Sequence, residues 1–182
     1  MVHLLSQTDN NNWYSRQGCA EKIAFNEDGS INQVEITSCG LNGGPLKDTG
    51  VYPAHIACNI FNDKNQMYVG ELHAANVSKD HEDGVKDPSY VRDIYDNTTV
   101  GFKYFDLKGV KGLRITTRGY GKGDIEIKTA IDAEPLAKIN VDFCTAWTVG
   151  TADFTVPDGV YPLYLTFKGM GNTTLLDFEF LH

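Results

Sequence analysis

Twenty-four aspartates and glutamates and five histidines are the side chains of this 182-residue chain with chemistry in reach, so their spacing comes first. Carboxylate catalysis needs two or three acids held in one pocket with separated pKa values. Here most fall in turns, as Glu27, Asp28 and Asp158 do, or at strand positions that face solvent. The densest run, KDHEDGVKD at 79–87, offers Asp80, Glu82 and Asp83 to a calcium ion. It lacks the alternating ligands and distal glutamate of a helix-loop-helix site and reads as a solvated loop. His55, His73 and His81 have no HExxH spacing, which argues against a catalytic zinc. No serine sits in a GxSxG elbow, and GYGKG at 119–123 has neither the GK[ST] ending nor the following helix of a phosphate cradle. These residues point to a non-catalytic module.

Cys19, Cys39, Cys58 and Cys144 form no CxxC pair, so a zinc knuckle or thioredoxin-like motif is absent. They read as buried thiols; a Cys19–Cys39 bridge in an oxidising compartment is the alternative that spacing leaves open. A net charge of -8 with scattered cations excludes nucleic acid as a partner. No apolar run approaches the roughly 18 residues needed to cross a membrane. The N-terminal stretch MVHLLSQTDNNNWYSRQG lacks a charged flank followed by a sustained apolar segment, so it reads as an interior point of a longer protein, without a secretory signal.

Aromatic and amide side chains near strand ends remain. A sugar ring packs its apolar C–H face on an aromatic plane while its hydroxyls need amide, carboxylate or backbone partners. Tyr90 and Tyr95 in DPSYVRDIYDN, Trp147 in CTAWTVG and Asn172 in GMGNTT have these types and locations. Asn172 is also one of three N-x-[ST] sequons, with Asn76 and Asn97.

The elements that must hold them are strands. EKIAFN and INQVEITS flank the turn EDGS as a hairpin, and the glycine-rich CGLNGGPLKDTG follows as a boundary. Beyond it HIACNIF, QMYVGEL, VGFKYFDL, KGLRITTR, GDIEIKTAI, LAKINVDF, TADFTV, VYPLYLTFKG and TLLDFEFL each read as a strand. Alternation assigns Phe102, Tyr104 or Phe105, Val110, Leu113, Ile115, Ile125, Ile127, Ile131, Leu163, Leu165, Phe167, Leu176, Phe178 and Phe180 inward. Glu126, Lys128, Tyr164, Thr166, Lys168, Asp177 and Glu179 then face outward. Strands with one dry face need a second sheet to close on, which predicts an all-β antiparallel sandwich.

Two blocks carry a resemblance. SRQGCAEKIAFNEDGSINQVEITSCGLNGGPL is similar to the end of the catalytic portion, and the connector, of glycoside hydrolase family 43 enzymes acting on xylan and arabinoxylan. From YPAHIACNIF through GFKYFDLKGVKGLRITTRGYGKGDIEIKTA to DGVYPLYLTFKGMGNTTLLDFEF the chain resembles their family 6 carbohydrate-binding modules. The resemblance implies a tail of the catalytic propeller with its connector over 1–44 and a jelly-roll module over 45–182. It implies a non-catalytic accessory module that binds plant cell-wall xylan or arabinoxylan, its parent being a secreted xylosidase or arabinofuranosidase with the catalytic carboxylates upstream. The alternative is a structural domain that packs on the catalytic domain without holding sugar.

Carried across by residue, the family's cleft falls on Tyr90, with Tyr95 nearby, and on Trp147, the second of two tryptophans three apart. Cys144 then stands where the stacking ring belongs. Leu175 stands at the family's asparagine, with Asn172 upstream. A second family surface, the concave face of one sheet, would draw on outward Tyr164, Tyr161 or Arg114. A structural calcium would take Asn59 and Asp177.

Overall fold

A computed structural model describes residues 20–62 and 89–182 in full and, of the rest, only the backbone of short strands at 5–6, 16–17 and 76–79. Cys19, the 80–88 loop and the predicted strand QMYVGEL lie outside the described residues. β1 (Leu5–Ser6) pairs with β2 (Arg16–Gln17). The other described strands are β3 (Leu46–Lys47), β4 (Val51–Pro53), β5 (Asn59–Asn62), β6 (Asn76–Lys79), β7 (Ser89–Tyr95), β8 (Thr98–Leu107) and β9 (Gly112–Gly119). β10 (Lys122–Lys128), β11 (Ala137–Val141), β12 (Cys144–Asp153), β13 (Gly159–Met170) and β14 (Asn172–Leu181) complete them. Among the described residues the helical elements are single 3₁₀ turns, Gly40–Asn42 and Ala54–Ile56.

The strands form the predicted β-sandwich. One sheet runs β11-β10-β13-β8-β3 and the other β12-β9-β14-β7-β6. The free edge of β8 is shared by β3 and β5, and the free edge of β14 by β7 and β4. Pairing is antiparallel except for the two-residue β3–β8 contact.

Inward residues from both sheets meet as aromatic contacts. Phe102 of β8 lies 4.5 Å from Phe178 of β14 between ring centroids, and Phe105 lies 5.1 Å from Phe180. Each large side chain buried this way contributes roughly 1.5–3 kcal/mol. This accounts for the long GFKYFDLKGVKGLRITTRG run: Phe102, Phe105, Val110, Leu113 and Ile115 are buried in the core, and Gly109 takes a positive φ of 63° in the turn.

The structure corrects three inward or outward assignments. Ile131 lies beyond the end of β10 in a turn and is 47% exposed. A bulge between Leu175 and Asp177 puts an extra residue opposite β9, so Leu175 joins the core cluster and Leu176 does not. Glu126, Tyr164 and Thr166 point outward but are buried, so these three positions are not free surface. Tyr164 sits against Gly101 and Asn59: a Cβ on Gly101 would be 2.8 Å from its ring and 3.0 Å from the Asn59 Cβ.

Segment 20–44 reaches the first sheet. Phe25 and Ile31 form the bridge of the predicted hairpin, whose turn holds Gly29 at φ 80°. Glu35 then accepts from Lys103 Nζ at 2.9 Å and from the Tyr104 hydroxyl at 3.0 Å. Cys39, Cys58 and Cys144 carry free thiols, and the Cys39 sulfur accepts from the Tyr104 amide at 3.3 Å.

Candidate functional site

Two register breaks at one end of the second sheet build a cleft on its outer face. Ile94 pairs with Thr173 and Val91 with Leu175, so Arg92 and Asp93 of β7 together oppose the single residue Thr174 of β14. Asp93 adopts φ 58°, the left-handed conformation that lets a bulge re-aim two neighbouring side chains. Across β9, Cys144 pairs with Gly119 and Thr148 with Thr117. Thr145, Ala146 and Trp147 therefore stand opposite Arg118 alone. Thr174 and Arg118 are cross-strand partners, and both face away from the core because their neighbours Leu175 and Thr117 face into it.

The result is a cleft of about 340 Å³. β7 contributes Tyr90, Arg92 and Asp93; β9 and its turn contribute Arg118, Gly119 and Tyr120; Thr145, Asn172 and Thr174 complete the lining. Its volume is at the low end of the roughly 300–1,000 Å³ usual for small-molecule sites.

Ion pairing and stacking fix the polar groups. Arg92 Nε donates to Asp93 Oδ2 at 2.9 Å, and Asn172 Nδ2 approaches Asp93 Oδ1 at 3.4 Å. The Arg118 guanidinium lies over two rings, its carbon 4.2 Å from the Trp147 ring centre and 5.4 Å from that of Tyr90. Tyr90 and Trp147 themselves meet edge to face at 5.8 Å. Such cation–π contacts hold a planar cation in one orientation while its in-plane N–H groups point outward.

Of the residues singled out in the sequence, Tyr90 and Asn172 line the cleft and Trp147 supports it through Arg118. Tyr95 pairs with Asn172 in the strand register but does not line the cleft. Burial, and then the Asp93 charge, raise its phenol pKa above the ordinary value. Cys144, which the resemblance puts at the place of the stacking ring, pairs with Gly119, and a hydrogen bond with Thr148 lowers its thiol pKa. Leu175, at the family's asparagine position, is buried in the core.

The second family surface does not present its named residues. Tyr164 is buried, Tyr161 packs against the core, and Arg114 is engaged by Glu179 at 2.9 Å and Asp177 at 3.6 Å.

The calcium residues do not come together. Asn59 lies on the outer face of the first sheet beside Tyr164, and Asp177 on the outer face of the second beside the Arg114 guanidinium. Packed sheets are roughly 10 Å apart, so this pair does not fit one ligand set. The strand beside Asp177 is β4, through Pro53, and not β5, which carries Asn59. Among the described residues no three His, Cys, Asp or Glu side chains cluster as metal ligands.

Sequence reasoning missed Arg92, Asp93, Arg118 and Tyr120. Arg118 had a signal, since Leu113 and Ile115 inward put 114, 116 and 118 outward on β9. Arg92 with Asp93 had none, because their bulge breaks the alternation that would have located them.

No family model matches the chain. It is 44% identical over 171 residues to a xylosidase/arabinosidase of Thermoclostridium stercorarium; the match spans 91% of this chain and 36% of that protein, about a third of its length. A family 6 carbohydrate-binding module from Clostridium cellulolyticum, solved with xylose, superposes with a TM-score of 0.62 at 16% identity, over 75% of this chain and all of that one. One from Clostridium stercorarium, solved with cellobiose, gives 0.60 at 14% identity, over 76% and 97%. A family 43 arabinoxylan arabinofuranohydrolase from Bacillus subtilis gives 0.64 at 17% identity, over 89% of this chain and 33% of that enzyme. This chain is a part-length relative of a xylosidase/arabinosidase, built on the β-sandwich fold of the family 6 carbohydrate-binding modules.

Proposed function

We propose that the chain is a non-catalytic carbohydrate-binding module of a xylan- or arabinoxylan-degrading enzyme, and that the cleft between Asp93 and Arg118 holds the glycan. The observation that carries this reading is the lining itself: a small concave site in which guanidinium, carboxylate, amide and hydroxyl groups converge beside aromatic rings. Vicinal sugar hydroxyls both donate and accept, so Asp93 on the β7 wall with Asn172 and Arg118 on the floor suit a ring lying over them. Tyr90 and Trp147 meet each other edge to face and both contact Arg118, so recognition here draws on hydrogen bonding beside the rings more than on a two-ring stack.

Such a module raises its enzyme's effective concentration on an extracellular polysaccharide. The exposed Ile23, Phe25 and Ile31 of the 20–44 hairpin form an apolar surface suited to the catalytic portion of the longer protein. Affinity electrophoresis through gels containing xylan, arabinoxylan or β-glucan tests the binding role. Retardation in at least one gel, lost in Asp93→Ala and Asn172→Ala, is the expected result. Migration unaffected by all three polysaccharides refutes it.

A further inference from the structure

We propose that Tyr120 and Phe143 form a second subsite, a platform at the lip of the cleft on which the units of the same glycan that leave the cleft stack. This rests on the reading of the cleft as a glycan site. Tyr120 is 66% exposed and Phe143 60% exposed, yet their rings meet with centroids 5.3 Å apart. Neither belongs to the core cluster or packs on it, so folding does not account for two large aromatics kept in water.

The backbone sets the pair deliberately. Cys144 pairs with Gly119, which brings Phe143, the residue before the one, beside Tyr120, the residue after the other. The Tyr120 turn is pinned against the start of β14: a Cβ on Gly171, which has φ 72°, would lie 2.3 Å from the Tyr120 carbonyl oxygen. A substituted residue there would displace the turn, so the backbone that carries Tyr120 is closely packed on β14.

Continuity with the cleft identifies the occupant. Tyr120 lines the cleft and is also half of the ring pair, so one surface runs from the polar site onto the exposed rings. A polysaccharide longer than the cleft must cross its lip, and aromatic faces suit the apolar C–H faces of its next units. The cleft would then supply hydrogen-bonded selection and the platform the additional contact that favours polymer over fragment.

Calorimetry of the whole chain with xylobiose and xylohexaose, and with cellobiose and cellohexaose, tests this. The wild type is expected to bind a hexaose at least about tenfold more tightly than the matching disaccharide, and Phe143→Ala to lose about tenfold for the hexaose alone, the effect of removing one interfacial aromatic. Phe143→Trp is expected to keep the length dependence. Equal wild-type affinity for the two lengths, or a Phe143→Ala loss that is the same at both, overturns the platform and leaves the cleft reading standing. Absence of binding at every length overturns both. A thermal melt of Phe143→Ala matching wild type shows that the exposed ring was removed without unfolding.

Discussion

Replacing Arg118 with methionine separates its two roles. Met keeps an unbranched, polarizable chain against Trp147 and Tyr90 and removes only the charged plane. The guanidinium lies 4.2 Å from one ring centre and 5.4 Å from the other at a partly solvated site. Its cation–π contribution to folding should therefore be near ~1 kcal/mol, within the ~0.5–2 kcal/mol range. For a domain of this size that is about 2–4 °C in Tm. A bound sugar loses its charge-assisted hydrogen bonds to this group, worth about 1.5–3 kcal/mol, or roughly ten- to 150-fold in affinity. Calorimetry with the tightest-binding xylan or β-glucan oligosaccharide, run beside thermal denaturation, reads both effects. Arg118→Lys retains charge without the planar fork and should fall between wild type and Met in affinity. A Tm drop with unchanged glycan affinity would refute the reasoning, since Arg118 would then only brace the two rings.

Asp93 at φ 58° is tested by backbone as well as charge: Asp93→Gly keeps the bulge, whereas Asp93→Ala adds about 1–2 kcal/mol of left-handed strain, so Ala should melt lower while both lose glycan affinity. Gly123 faces Gly169 across β10 and β13, and a Cβ there would lie 2.2 Å from the Lys168 carbonyl oxygen. Gly123→Ala should therefore cost at least about 2 kcal/mol, or roughly 4–8 °C in Tm. The Lys103 ammonium holds the Glu35 carboxyl below its ordinary pKa of 4.5. Because the folded value is the lower one, the stabilisation is complete above pH 4.5 and is lost as pH falls through the depressed folded pKa. Amide protection factors in segment 20–44, corrected for the intrinsic exchange rate, should fall over that window, and Glu35→Gln should abolish this pH dependence; an unchanged profile in the variant would assign the effect elsewhere.

The sandwich was legible because burial in a two-sheet fold imposes a period of two, and Phe102, Leu113, Ile127, Leu165 and Phe178 all obey it. Where the period fails, so does the reading. One extra residue at Leu176 exchanges the inward position for Leu175, and one at Arg92 with Asp93 removes both from any parity count. Outward position also proved different from exposure. Glu126 is buried by Lys128 and Lys138, whose ammonium groups lie 3.4 and 3.0 Å from it. Burial raises its pKa, but the two lysine hydrogen bonds outweigh that and leave it lowered. Sequence alone cannot separate such a covered outward position from a solvated one, because it is the strand register that sets Lys138 opposite Glu126. Asn172 and Tyr90 were reachable from local type and position, and the outward placing of Arg118 from parity on β9; Asp93 required the register.

These breaks in register explain how a scaffold of straight strands comes to hold a cleft. A regular outer face offers side chains in rows about 4.8 Å apart, too flat to enclose a ligand. On β7 two residues oppose one, on β12 three oppose one, and both irregularities fall at the same end, on either side of the β14–β9 pair that carries Thr174 and Arg118. Extra residues bend their strands and deepen the local twist, so the outer strands rise as walls while the inner pair stays as floor. The inner faces of the same strands keep Val91, Ile94, Leu175 and Ile115 in the core, so the cleft forms on one face while the other stays packed. Its geometry therefore depends on the count of residues between fixed ladder pairs. Deleting Asp93, which restores regular pairing opposite Thr174, should flatten this wall and abolish glycan retention in affinity electrophoresis while the chain still melts cooperatively. Retention by that deletion variant would show that the bulge is incidental to binding.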